Sequence, residues 1–343
     1  MAAGKPVAGC LGFPARTRFV PHPPFDWVAF LALSLPFAGM VALYGAAFAK
    51  MRIRLVARAE QPFPWWSWLG LILIAIGWPI AWGAASVPDE WRRHTFTPLW
   101  LGYILAVNGL SFRYQSWAPL THRTAWFVSL FPASVVVWWL FEHLNRFSGN
   151  WYYVGLEASD DWSYFAQTTL PFSTVIPAVA STWAWLKRMP RIGAESFVAI
   201  GTHALPAWLA LATGSIALSC IGIWPDLLFP ALWLAPIFVL YALQRLLLGQ
   251  TLFAPLRHGD WRPLLQPALA ALLCGLVWEL WNSGSLAKWH YSIPYAQRWH
   301  VFEMPLVGYF GYLPFGIECA LVMDLMARCV ERRAVWPLGR DRA

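Results

Sequence analysis

The chain has 343 residues, of which 59% are hydrophobic and 12% charged, with a mean hydropathy of +0.49. So little charge cannot cover a soluble domain of this size. The net charge of +8 sits in short loops between apolar runs, where Lys and Arg orient a chain in a bilayer, so it does not indicate a nucleic-acid partner.

Runs of about 18 or more mostly apolar residues predict nine membrane-spanning helices. The first five lie near Trp27 to Phe48, Trp65 to Ala85, Phe96 to Phe112, Thr124 to Leu144 and Trp162 to Leu186. Four more follow near Ala204 to Ile223, Leu227 to Leu243, Leu264 to Trp281 and Met304 to Met326. Backbone groups in hydrocarbon must bond within their own segment, and barrel strands would alternate rather than stay apolar, so the expected fold is an all-α, polytopic helical bundle. The 25 Trp and 27 Pro suit interfacial anchors and helix punctuation. With nine spans, the loops after helices 1, 3, 5 and 7 and the C-terminal tail carry about 17 of the 25 Lys and Arg. That bias predicts a cytoplasmic C-terminus and an external N-terminus.

The five cysteines have no paired spacing and read as small buried hydrophobes. Val7 to Cys10 resembles a lipoprotein cleavage site but lacks a preceding apolar region, and is read as coincidence.

The end of helix 4 and the end of helix 8 share a wording. Glu142 is followed three residues on by Asn145 and then by Trp151-x-Tyr153; Glu279 is followed by Asn282 and then by Trp289-x-Tyr291. The copies are about 137 residues and four helices apart, so both face the same way, as in a parallel internal repeat of helices 4–5 and 8–9. This divides the chain into a three-helix region at 1–123 and a repeat-containing region at 124–343, with copies at 124–200 and 264–343. In each copy the Glu and Asn share a helix face. A carboxylate inside the membrane costs about 2.5 to 3.5 kcal/mol on insertion scales, which makes a site role the default reading. The bland alternative is a duplicated hairpin with Asn and Gly ending each helix and aromatic residues marking the interface.

Helix 9 adds Glu303, Gly308, Gly311, Pro314 and Glu318, followed by Asp324. On one continuous helix Glu303 and Glu318 would stand about 22 Å apart, too far for an acid pair. Gly311 and Glu318 would share a face, so a ligand or a neighbouring helix could approach there. Asp324 is expected in a surface ion pair with the basic tail. His143, His290 and His300 fall near the same outer ends, but no HxxxH or ExxH pair accompanies them, so no metal is expected. Nucleotide and serine-hydrolase motifs are missing, so no cofactor is expected.

An acid near a helix end, Trp-x-Tyr about ten residues later and a Gly- and Pro-rich helix leading to Glu318 resemble the tandem lycopene cyclase domain of bacteria and fungi, and more distantly the membrane carotenoid hydratases. The clearest stretch is Lys288, Trp289, His290 and Tyr291 through Gly308, Gly311, Leu313, Pro314 and Glu318. The resemblance covers about a third of the chain. That family pairs adjacent glutamates after the proline, whereas this chain has Glu318 alone, and the first copy has Ser173 and Thr174 after Pro171-Phe172.

The resemblance implies a bacterial cytoplasmic (inner) membrane enzyme that needs no cofactor and works by acid/base chemistry on a lipophilic isoprenoid or polyene, as a cyclase or hydratase does. Glu142, Glu279, Glu303 and Glu318 would be the acids and bases, oriented by Asn145 and Asn282. Trp151, Tyr153, Trp289, Tyr291 and Gly311 would line the substrate site. The alternative is a non-catalytic subunit or carrier that holds a lipid, a pigment or a proton path. Either way the partner is a membrane lipid or a lipophilic small molecule, and no partner chain can be named. The two readings differ in whether the carboxylates converge on an apolar cavity or line an aqueous path.

Overall fold

The computed structural model describes residues 11–49, 61–83, 86–158, 160–187, 198–201 and 205–338, and these are mostly helical. Ten longer helices are α1 (Trp27–Ala49), α2 (Trp65–Ala81), α3 (Phe96–Gln115), α4 (Thr124–Ser148), α5 (Asp161–Ser173), α6 (Val175–Leu186), α7 (Ala207–Ile221), α8 (Ala231–Leu248), α9 (Arg262–Gly284) and α10 (Tyr312–Glu331). Five segments are long and apolar enough to cross a membrane: Trp27–Ala46, Thr124–Ser148, Ala231–Leu248, Arg262–Gly284 and Leu306–Glu331. The protein is therefore membrane-embedded. Two shorter apolar helices, α2 and α7, lie where two further spans are expected.

The fifth expected span is two helices that meet at Thr174. Pro171 and Pro177 flank the break and donate no backbone N–H, and the Thr174 hydroxyl donates to the Pro171 carbonyl at 2.7 Å. The ninth expected span also starts late. Residues 304–311 form a short strand and a 3₁₀ turn, Leu306–Gly311, before α10 begins. Glu303 and Glu318 therefore do not share one helix, and the sequence-based separation between them does not apply.

The structure is mostly helical, as expected, with two short antiparallel ladders outside the helices. Strand β1 (Trp151–Val154) pairs with β2 (Lys288–Tyr291), and β3 (His300–Val301) with β4 (Met304–Pro305). In the first ladder Trp151 faces Tyr291, Tyr152 faces His290, and Tyr153 faces Trp289. The loops leaving α4 and α9 bring two β-prone aromatic segments together, and each satisfies backbone groups that its partner needs.

At the centre of the bundle, α4, α6, α9 and α10 pack on one another, while α2 pairs with α3 and α7 with α8 at its sides. α9 and α10 touch at Gly316, where an added Cβ would collide with the Pro267 carbonyl, so a small residue sets this approach. Buried polar side chains tie the helices together. The Trp126 indole donates to the Met323 carbonyl at 3.0 Å, and Asn108 donates to the Ser181 hydroxyl at 2.8 Å. Asp324 is completely buried, contrary to the expected surface pair. It accepts from Arg328 at 2.8 Å, from the Val335 N–H at 2.7 Å and from Gln244 at 3.2 Å, because the chain after α10 folds back over it.

The segment before α1 crosses the β1–β2 end of the bundle as an extended strap. The Ser292 hydroxyl donates to the Val20 carbonyl at 2.7 Å, His22 lies 2.6 Å from Asp226, and Phe19 packs on Tyr152. Cys274 and Cys319 are buried as expected, Cys220 is half-buried and Cys329 is exposed; Val7 to Cys10 lie outside the described residues.

Candidate active site

Glu142 lies on the last two turns of α4 and is fully buried. Its Oε1 accepts three hydrogen bonds: from the Tyr153 hydroxyl at 2.6 Å, the Trp151 indole at 3.0 Å and the Trp138 indole at 3.0 Å. Trp138 is one turn earlier on the same helix, while Trp151 and Tyr153 alternate along β1 and so reach the same side. The other oxygen, Oε2, has no hydrogen-bond partner among the described residues.

Glu279 repeats this arrangement on α9, also fully buried. Its Oε1 accepts from the Tyr291 hydroxyl at 2.7 Å and the Tyr312 hydroxyl at 2.8 Å, with a longer contact of 3.3 Å from the Trp289 indole. The Trp289 indole also donates to the Tyr291 oxygen at 2.8 Å. Here too Oε2 has no partner among the described residues.

The asparagines act one step back from the carboxylates. The Asn145 amide donates to the Trp151 carbonyl at 2.7 Å, and its oxygen accepts from the Asn150 N–H at 2.8 Å. The Asn282 amide donates to the Trp289 carbonyl at 2.8 Å and accepts from the Trp289 N–H at 2.9 Å. These are outward-facing groups of a two-stranded ladder, which the neighbouring strand cannot reach. Each asparagine therefore fixes the tryptophan that holds its glutamate.

Between the two clamps lies one cavity that encloses about 1070 Å³ of empty space, counting its open mouth. Trp151, Tyr153, Trp289, Tyr291 and Tyr312 present to it the faces whose polar tips hold the glutamates. Trp138, Trp233, Trp278 and Phe172 complete an aromatic wall, and Gly308 and Gly311 leave room on the α10 side. Burial, and then the charge of Glu142, push the Tyr153 phenol well above its ordinary pKa; burial and then Glu279 do the same for Tyr291. Both phenols stay protonated donors at any physiological pH.

Arg93, His94 and Lys288 stand on the polar edge of the cavity. Lys288 is paired with Glu303 at 2.6 Å, and Glu303 also lies 2.9 Å from the His290 ring. Glu303 is thus part of a half-buried ion cluster in the turn between β3 and β4, outside the aromatic wall. Glu318 is buried on α10, and neither of its oxygens has a partner among the described residues. It does not line the cavity. The expected site residues thus divide. Both Trp-x-Tyr pairs and Gly311 line one cavity. Glu142 and Glu279 sit behind that wall, bonded to its tyrosines, with the asparagines bonded to its tryptophans, whereas Glu303 bonds Lys288 and His290 and Glu318 bonds none of these residues.

Sequence reasoning missed Trp138 and Tyr312, the third donor of each clamp. Trp138 carries a usable signal, since it lies four residues before Glu142 and shares its helix face. Tyr312 carries none, because the chain path between β4 and α10 decides where it points. Among the described residues no group of three or more His, Cys, Asp or Glu side chains could hold a metal ion. No family model, curated protein or solved structure matches this chain.

Proposed function

We propose that the protein is a cofactor-independent acid/base enzyme of the bacterial cytoplasmic membrane that acts on a lipophilic isoprenoid or polyene, in the manner of a cyclase or hydratase. One observation carries this reading: two buried carboxylates, each clamped by its own Trp-x-Tyr strand, flank a single aromatic cavity. The nine-span topology, an external N-terminus, a cytoplasmic C-terminus and a parallel duplication belong to the same proposal. The duplication is supported by the antiparallel register of β1 and β2, which sets Tyr152 against His290 and exchanges Trp151 with Trp289. It is supported too by the matching pairs α2–α3 and α7–α8 beside the central helices.

The chemistry requires that a proton reach a carbon–carbon double bond and that a proton later leave. A carboxyl on one side supplies the first, and the alkene electron pair forms the new C–H bond. The resulting cation lies among indole and phenol faces that attract it. Loss of a proton to the opposite carboxylate gives a cyclised or shifted alkene, and addition of water gives an alcohol. Neither outcome needs an electron acceptor. A proton path would need a polar route through the membrane, whereas this cavity is walled by aromatic rings; a protein that only holds a lipid or pigment is separated from an enzyme by the test that follows.

The test is extraction and mass spectrometry of apolar molecules from a strain lacking the gene, complemented with wild type, Glu142→Gln or Glu279→Gln. An acyclic or unhydrated isoprenoid should accumulate in the deletion and persist in both variants while the proteins insert normally. An unchanged lipid profile overturns the reading.

A further inference from the structure

The two clamps differ in one respect that bears on proton movement. Glu142 is held by two indoles and one phenol, Glu279 by two phenols and a long indole contact. An indole N–H only donates, whereas a phenol can accept a proton on one side while giving one up on the other. The extra phenol is Tyr312, which is 8% exposed, lines the cavity and stacks on Trp278.

The room for Tyr312 comes from a single residue. Gly275 stands four residues before Glu279, as Trp138 stands four before Glu142. A Cβ at Gly275 would fall on the Tyr312 ring. Where α4 carries the Trp138 indole, α9 carries Gly275, and the Tyr312 phenol of α10 supplies the third donor. Tyr291 already accepts from the Trp289 indole, so it can keep holding Oε1 of Glu279 while Tyr312 moves its proton. Among the described residues Tyr153 is the one phenol bonded to Glu142, and its departure would leave Glu142 held by indoles alone.

We propose that the two carboxylates are unequal, with Glu279 acting as the acid and Tyr312 as the catalytic residue that carries its proton to the cavity, while Glu142 serves as the base. This rests on the acid/base reading above. In the step, the Tyr312 O–H bond breaks as a C–H bond forms on the substrate alkene. The proton of the Glu279 carboxyl restores the phenol. The substrate cation then loses a proton toward Glu142, so one proton enters and one leaves.

Proton access can be measured without a substrate. Infrared spectra of the full-length protein in lipid nanodiscs, taken as H₂O is replaced by D₂O, follow the carboxylic C=O band that disappears in Glu279→Gln. In wild type this band should shift promptly. In Tyr312→Phe, and equally in Gly275→Ala, which displaces the ring, exchange should slow by about tenfold or more. Tyr153→Phe, which takes a comparable hydroxyl from the other clamp, should leave exchange at Glu279 unchanged. The proposal is overturned if no protonated band belongs to Glu279, or if it exchanges at the wild-type rate in both variants. Slowed exchange alongside an unaltered lipid profile would instead leave the relay standing and remove the enzyme reading.

Discussion

Asn282→Ala tests whether the ladder is what aims the clamp. The side chain serves both backbone groups of Trp289, accepting from its N–H at 2.9 Å and donating to its carbonyl at 2.8 Å, and Asn282 is 1% exposed. Alanine leaves a half-buried donor and acceptor without partners, at up to about 1–3 kcal/mol each, so about 1–3 kcal/mol together once water reaches them in part. That is a large share of the marginal stability of a folded chain, typically about 5–15 kcal/mol. Intrinsic fluorescence suits the assay, because unfolding in detergent would be read from a chain with 25 Trp. The midpoint should fall by several degrees, and near-ultraviolet circular dichroism should change below it as Trp289 and Tyr291 lose their fixed orientation. Asn145→Ala should cost at least as much, since its oxygen also receives the Trp151 N–H at 3.4 Å besides its two shorter bonds. Variants that unfold with the wild-type midpoint and keep the aromatic spectrum would refute the claim that these amides hold the strands.

Gly316→Ala should destabilise the bundle by about 1–3 kcal/mol, because the new methyl meets the backbone of Pro267 and Ala268 rather than a yielding side chain; a wild-type thermal midpoint would contradict this. Arg123 is 5% exposed, bonds Glu331 through its Nε and a terminal nitrogen and lies 4.4 Å from the centre of the Trp126 ring. Arg123→Ala should therefore cost about 1–3 kcal/mol, since Glu331 keeps only Arg333 at 2.9 Å, with Arg123→Lys recovering only part of it because lysine lacks the planar fork; equal midpoints for the three proteins would count against the pair. The raised pKa of Tyr153 and Tyr291 sets an alkaline limit. The folded state keeps phenol protons that the unfolded chain gives up near pH 10.0, so their contribution is complete below that pH and declines above it. In a spectrophotometric titration these two phenolates should appear with unfolding and not before it, judged against Tyr153→Phe and Tyr291→Phe.

Much of the candidate site was legible because two stretches of the sequence carry the same residue types at nearly the same spacing. Glu142, Asn145, Trp151 and Tyr153 recur as Glu279, Asn282, Trp289 and Tyr291, and each set of four is bonded together. What the strands do was hidden. Four residues such as Trp151–Val154 show no alternation long enough to be read, and pairing depends on two loops meeting in space. The same limit concealed Tyr312. Treating residues 304–326 as one helix put Glu303 and Glu318 on a common ruler, but β4 and the 3₁₀ turn reset the phase, so the tyrosine at the start of α10 faces Glu279. Asp324 was misplaced for a related reason: Val335 returns to it from beyond the helix end, a contact 11 residues away that helical periodicity cannot express. The break at Thr174 did have a local cause in Pro171 and Pro177, but an apolar run masks it when only hydrophobicity is read.

The ladder also constrains how the two halves of the site can differ. Its register centres on Tyr152 and His290, so each clamp's tryptophan sits opposite the other clamp's tyrosine. A slip of one residue would turn Trp151, Tyr153, Trp289 and Tyr291 away from both glutamates at once, because side chains alternate along a strand. The strands therefore cannot shift register for one carboxylate without disturbing its counterpart. The difference between the clamps lies instead outside the ladder, in the third donor. Trp138 approaches Glu142 from its own helix, whereas Gly275 vacates the matching position and admits Tyr312 from α10. A substrate whose two reacting carbons need opposite proton transfers would meet a paired frame with unequal ends, and the inequality resides in the residues that the strands do not hold.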